Sequence, residues 1–180
     1  AEMDYLKYQI NPHFFMNTLN NIHALIDIDT QWAKNAVIEL SKMMRYVLYD
    51  SERETISLTR DIQFLKNYIE LMRIRYTDAV DIRIEHPSTL PARITIPPLL
   101  LIVFVENAFK HGVGANKASF IHIRIDCNED KVTAVIANSR FKIAHPKHSD
   151  GIGLKNVRKR MELIYGTKNY ELRNEETADT

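Results

Sequence analysis

Three features of the sequence predict an α+β fold, an antiparallel helical hairpin followed by a mixed layer of helices and strands. Two long amphipathic stretches are separated by a short turn. The apolar period then switches from helical to alternating at Val80. A nearly all-apolar helix after Pro97-Pro98 lies between alternating segments, so it must be covered from several sides.

The first helix is predicted over residues 6–27. Phe15, Leu19, Ile22 and Ile26 form its apolar stripe, and His13 falls on the opposite, polar side with Asn17, Asn20, Ala24 and Asp27. Residues 27–30 read as a tight turn. The second helix is predicted over 31–49, with Val37, Leu40, Met44 and Val47 as its stripe. A hairpin of this kind leaves apolar surface uncovered, and pairing of two copies into a four-helix bundle is the natural solution. Packing onto the rest of the same chain is the alternative.

Residues 50–57 are charged and read as a linker. Ser57 or Thr59 is placed to cap a third helix, with Asp61 in its first turn and Ile62, Leu65, Ile69, Met72 and Tyr76 as its stripe. Val80, Ile82 and Ile84 alternate with Asp81, Arg83 and Glu85, a strand with one wet face. A proline-containing connection leads to Pro97-Pro98 and the apolar helix, which runs to about His111. Ile121, Ile123, Ile125 and Cys127 alternate with His122, Arg124 and Asp126. The turn at 128–130 and the apolar segment 132–137 complete a hairpin. A last helix is predicted from Leu154, with Val157, Met161 and Ile164 on its buried side. Tyr170-Glu171-Leu172-Arg173 reads as the start of a strand cut short.

Bulk properties exclude several classes. A net charge of +1 supplies no strong field for nucleic acid. One cysteine, Cys127, rules out an internal disulfide framework and cysteine-type zinc clusters. The longest apolar run, near 94–105, is too short and too interrupted by proline to span a membrane. The opening on Ala1, with no signal peptide, predicts a piece of a longer protein.

Three constellations point to chemistry. The apolar helix ends in Glu106-Asn107-Ala108-Phe109-Lys110-His111-Gly112, so Glu106 with Lys110, and Asn107 with His111, share neighbouring faces. In bland terms this is a polar helix end stopped by glycine. In functional terms an Asn oxygen offers a hard ligand to Mg²⁺ while the cations reach phosphates. Asp150-Gly151-Ile152-Gly153-Leu154 opens the last helix, where glycines let backbone amides approach an anion. Between them, Arg140, Lys142, His145, Lys147 and His148 form a basic irregular segment placed to close over a nucleotide. Lys155, Arg158 and Arg160 either assist the phosphates or solvate the helix. His145 and His148 have no third ligand at a suitable spacing.

The order of these stretches resembles the cytoplasmic kinase core of autolysin-sensor-type (LytS-like) histidine kinases. The matching segments are residues 9–20, containing Asn11-Pro12-His13-Phe14, then 40–46, 68–76, Pro97-Pro98, 106–112 and 151–160. The resemblance implies a homodimeric hairpin over 1–54 that carries the phosphoacceptor histidine. An ATP-binding domain over 55–180 follows, an α/β sandwich of the GHKL or Bergerat type. It implies that His13 accepts the γ-phosphate of ATP, that Asn107 binds Mg²⁺, and that Glu106, Lys110 and His111 line the pocket. Gly151, Gly153 and Leu154 then serve the phosphates. It also implies onward transfer to an aspartate of a response regulator, and anchoring of the bacterial protein by upstream membrane segments, with this part cytoplasmic.

Two departures from the wider pattern stand out. Phe14, rather than an acid, follows His13, so a base must come from elsewhere, and Glu106 is the candidate. The adenine-binding Asp-x-Gly-x-Gly motif is replaced by Ala137-Asn138-Ser139-Arg140-Phe141, where the Asn138 amide can both accept from and donate to adenine. Two alternatives follow: a dimeric signalling module with a degenerate nucleotide site, or an ATPase of the same superfamily in which His13 is incidental.

Overall fold

The computed structural model describes residues 12–76, 78–115, 117–141 and 152–177. Helix α1 spans Pro12–Ile26 and α2 spans Thr30–Arg45. The part of the first predicted helix before Pro12 lies outside the described residues. Asp29 starts α2 as its N-cap, its carboxylate accepting from the Trp32 backbone N–H at 2.9 Å. The second helix does not continue as α-helix to Tyr49. It passes into a π-helical turn over Tyr46–Asp50, which turns Tyr46 and Asp50 inward and leaves Leu48 and Tyr49 exposed.

Residues 50–57 are not a free linker. Asp50 and Ser51 are buried, and Ile56–Ser57 (β1) pairs antiparallel with Thr95–Ile96 (β3), inside the predicted proline-containing connection. Helix α3 spans Leu58–Arg75, and Ser57, not Thr59, caps it, accepting from the Arg60 N–H at 3.3 Å. Strand β2 is Val80–Glu85, α4 is Leu101–Gly112, β4 is Ser119–Asn128, β5 is Lys131–Asn138, and α5 is Ile152–Tyr165.

The sheet order is β2-β4-β5, with β2 parallel and β5 antiparallel to β4. A parallel neighbour requires a crossover, and the connection from β2 to β4 contains α4. Ile82 pairs with Ile121 in register, and Ile121, Ile123 and Ile125 line the covered face, while Asp81, Arg83, Arg124 and Asp126 face water. The two-residue turn at Glu129-Asp130 places Glu129 at φ 52°, as a tight antiparallel hairpin demands. Val105, Ile102, Leu65, Ile69 and Val157 join the isoleucines in one continuous core.

The helical hairpin packs on α3 of its own chain. Ile22, Leu25, Ala33, Ala36, Leu40 and Met43 are buried there, the two alanines allowing close helix approach. The predicted stripes are therefore only half right. Leu19, Ile26, Val37 and Met44 remain exposed because α3 covers one edge of the hairpin and nothing among the described residues covers the other. On α5, Val157 is buried but Ile164 is exposed, against expectation. Residues 170–173 form no strand.

Candidate functional site

The end of α4 is fixed from both sides. Leu101 to Val103, Val105, Ala108 and Phe109 are buried, which leaves Glu106, Asn107 and His111 half-buried and Lys110 exposed on the remaining face. The Ser139 hydroxyl donates to the Gly112 carbonyl at 2.5 Å and accepts from the Phe120 N–H at 3.0 Å. This ties the helix end to the adjoining strands β4 and β5. The contact is close enough to require glycine: a Cβ on Gly112 would lie 2.6 Å from the Asn138 Cβ. Asn138, half-buried, donates from Nδ2 to the Ser139 carbonyl at 2.8 Å. Phe141 packs against Gly114, with the Lys117 ammonium 5.5 Å from its ring centre.

Burial pushes the Glu106 carboxyl from its ordinary 4.5 up to about 7. Its charge acts on Tyr68, whose hydroxyl is held above the usual tyrosine range by burial first and by Glu106 second. Tyr68 is also the link to the first helix. His13 is exposed in the first turn of α1, and the next residue, Phe14, turns inward onto Tyr68, their ring centres 4.9 Å apart. Tyr68 meets Phe109 edge-on at 5.8 Å, and Tyr76 stacks on Phe109 at 5.7 Å. The phenylalanine that stands where an acid was expected therefore anchors the histidine's helix on α3, whose Tyr68 in turn meets Phe109 of α4. Asn17, Asn20, Ala24 and Asp27 are exposed with His13, as the helical period predicts.

Helix α5 packs against α4, with Gly153 in its first turn and Leu154 half-buried just after it. Gly151, Lys142, His145, Lys147 and His148 lie outside the described residues. Lys155 and Arg158 are exposed, but Arg160 does not serve a solvated face: it is buried, and its guanidinium donates to the Pro98 carbonyl. Asp61 likewise faces inward from the first turn of α3, where it accepts from the Tyr46 hydroxyl. The structure thus keeps Glu106, Asn107, Lys110 and His111 at the end of α4 with Asn138 against Gly112, and rests the His13 helix on α3 through Phe14 and Tyr68. Sequence reasoning missed Phe14, Tyr68, Ser139 and Arg160 as parts of this arrangement. The aromatic run Phe14, Tyr68, Tyr76 was a readable signal; the serine was not.

Among the described residues no group of three or more His, Cys, Asp or Glu is placed to hold a metal ion. The Asn107 oxygen is a suitable hard ligand for Mg²⁺, but it needs phosphate oxygens and water to complete a shell. The cationic neighbours Lys110 and His111 suit those phosphates.

Known proteins resemble the chain along most of its length. The Histidine kinase family model matches residues 1–80. The chain is similar to the Sensor protein LytS of Staphylococcus saprophyticus, at 30% identity over 179 residues, covering 92% of this chain and 30% of that protein. It is similar to the Sensor protein LytS of Streptococcus mutans, at 31% over 181 residues, covering 93% and 31% respectively. It is 29% identical over 184 residues to the Sensor histidine kinase/phosphatase LytS of Staphylococcus aureus, covering 92% and 31%. The chain spans about three-tenths of the length of these relatives. With the family match over residues 1–80 and the relatives aligned across nearly the whole chain, the chain is similar along most of its length to the LytS-type sensor histidine kinases.

Proposed function

We propose that the chain is the kinase core of a two-component sensor, phosphorylating its own His13 from Mg²⁺–ATP and passing the phosphoryl group to an aspartate of a response regulator. The observation that supports this reading is the chain of rings Phe14–Tyr68–Phe109, which links the helix of an exposed histidine, by way of α3, to the helix bearing Glu106 and Asn107. Phosphoryl transfer needs positioning and charge neutralisation more than covalent help from the protein.

In this reading a His13 ring nitrogen forms the N–P bond as the bond from the γ-phosphorus to the β–γ bridging oxygen breaks. Glu106, ionised above about pH 7, takes the proton that the imidazole loses. Asn107 supplies the protein oxygen to Mg²⁺, which when bound neutralises charge on the phosphates. Lys110 and His111 add positive charge, and the α5 start at Gly151, Gly153 and Leu154 offers backbone amides to the phosphates. Asn138 serves adenine, its orientation held by Ser139. Residues 1–54 act as the dimerising phosphoacceptor hairpin, with Leu19, Ile26, Val37 and Met44 buried against a second copy in a four-helix bundle. Residues 55–180 act as the GHKL-type ATP-binding sandwich. No described helix is long and apolar enough to cross a membrane.

Incubation with γ-labelled ATP and Mg²⁺ tests the reading. Acid-labile, base-stable label that disappears in His13→Gln is the expected result. Nucleotide turnover without label would make the chain an ATPase, and absence of nucleotide binding would make it a silent dimeric module; either outcome overturns the kinase reading.

A further inference from the structure

A buried polar cluster lies away from the nucleotide residues, at the turn that feeds α4. Leu99, in that turn, has φ 61° and is buried. A left-handed conformation is costly for leucine and persists only where surrounding structure enforces it. Two side chains converge on this turn. Arg160 of α5, only 8% exposed, donates from Nη2 to the Pro98 carbonyl at 2.5 Å. Tyr46 of the π-helical turn brings its hydroxyl near the Leu99 backbone, and burial first, then Asp61, hold that hydroxyl above the usual tyrosine range.

The same Tyr46 hydroxyl donates to Asp61 Oδ1 at 2.5 Å, and the ring stacks on Phe64 at 4.1 Å between centres. Asp61 is 1% exposed, and its Oδ2 has no hydrogen-bond partner among the described residues. Burial raises the Asp61 carboxyl to about 6, opposed by the Tyr46 hydroxyl and then by the nearby Arg160 guanidinium. Beside them Asp50, also buried, pairs with Arg60 at 3.0 Å. Four segments therefore meet here: the end of the hairpin, the start of α3, the turn into α4, and the middle of α5.

Such a cluster is poorly explained by stability. Apolar residues of similar volume usually hold a core as well as a buried ion pair does, and an unsatisfied carboxylate oxygen is a cost. What the cluster supplies is a directional lock. Helices α4 and α5 carry the nucleotide residues, and Tyr46 belongs to the hairpin that carries His13. Rotation of that pair relative to the hairpin would pull Tyr46 away from the turn that Arg160 holds.

We propose that Tyr46, Asp61 and Arg160 are positioning residues that set the orientation of the nucleotide helices relative to the phosphoacceptor hairpin, a role that rests on the kinase reading above. The test compares wild type with Tyr46→Phe, which removes one oxygen, and with Asp61→Asn, which keeps an acceptor for Tyr46 but removes the charge. Mg²⁺–ATP affinity is expected to stay within about twofold of wild type. The rate of His13 labelling at saturating ATP is expected to fall about tenfold or more, because misplacement by an ångström is enough for such a loss. Hydrogen exchange gives a readout that does not need the chemistry. In wild type, adding Mg²⁺–ATP should change amide protection at residues 46–50, and in both variants that response should vanish while protection of α4 by nucleotide persists.

Parallel loss of affinity and labelling, or unchanged labelling in both variants, would overturn the positioning role. So would an exchange response that survives the substitutions, or is missing from wild type. Failure of Tyr46→Phe to fold, with Asp61→Asn folded and fully active, would reduce the cluster to structure. If wild type carries no label, the kinase reading fails by itself, and the exchange response still decides whether the cluster couples the two parts.

Discussion

Glu106→Gln should make the protein more stable and less active at once. Burial raises the Glu106 carboxyl from 4.5 to about 7. The folded chain therefore holds the proton more tightly than the unfolded chain, and stability is lost as pH rises between those two values. Each tenfold step in proton affinity is worth about 1.4 kcal/mol. The ionised carboxylate thus costs the fold roughly 3 kcal/mol above pH 7, or about 2 kcal/mol allowing for partial access to water. Glutamine is nearly the same size and does not titrate, so it removes this cost. Urea denaturation should show little difference between wild type and Glu106→Gln near pH 4.5, and about 2–3 kcal/mol in favour of the variant at pH 8. His13 labelling should fall about 10²- to 10⁴-fold, the usual contribution of a general base. The opposed signs are the diagnostic: a carboxylate kept against its folding cost is there for chemistry. A variant destabilised equally at both pH values would show Glu106 to be a packing residue and would refute the reasoning.

Other consequences are open to simple measurements. Gly112→Ala places a methyl group 2.6 Å from the Asn138 Cβ, so it should cost about 1–3 kcal/mol and lower the melting temperature by several degrees. Ser139→Ala removes the donor to Gly112 and the acceptor for Phe120, a loss of about 2 kcal/mol that urea denaturation should read, while the backbone carbonyl that receives Asn138 Nδ2 stays in place. Phe14 packs on Tyr68 of its own chain, so transfer should be in cis: a mixture of His13→Gln and Asn107→Asp chains, allowed to exchange subunits, should remain unlabelled. Label appearing in that mixture would show transfer between chains.

The elements themselves were legible because periodicity encodes them. The alternation at Val80, Ile82 and Ile84, and the polar face around His13, both appear where the sequence places them. Capping chemistry distinguished less well, since Ser57 and Thr59 are equivalent in type and only the backbone decides between them. What periodicity cannot say is which neighbour covers a stripe. Leu19 and Ile26 have the spacing of core residues, yet α3 takes Ile22 and Leu25 instead. Long-range polar contacts were hidden for a related reason. Arg160 follows Lys155 and Arg158 on one helix, and only the approach of the Pro98 carbonyl separates a buried guanidinium from two solvated cations. The likeness to histidine kinases pointed to the polar end of α4, but the contacts of Tyr68 and Ser139 there became visible only when the chain was folded.

Leu99 has a consequence for which substitutions this chain can accept. Glycine would relieve the left-handed backbone but leave a hole where a leucine is 2% exposed, and large-to-small changes in a core cost about 2–5 kcal/mol. Valine or isoleucine would fill the space yet tolerate φ 61° worse, being branched next to the backbone. The position is therefore confined to unbranched apolar side chains of about leucine's size, methionine above all. Random mutagenesis should leave it narrower in repertoire than the fully buried Ile102 or Val105, whose ordinary helical backbone permits exchange among aliphatics.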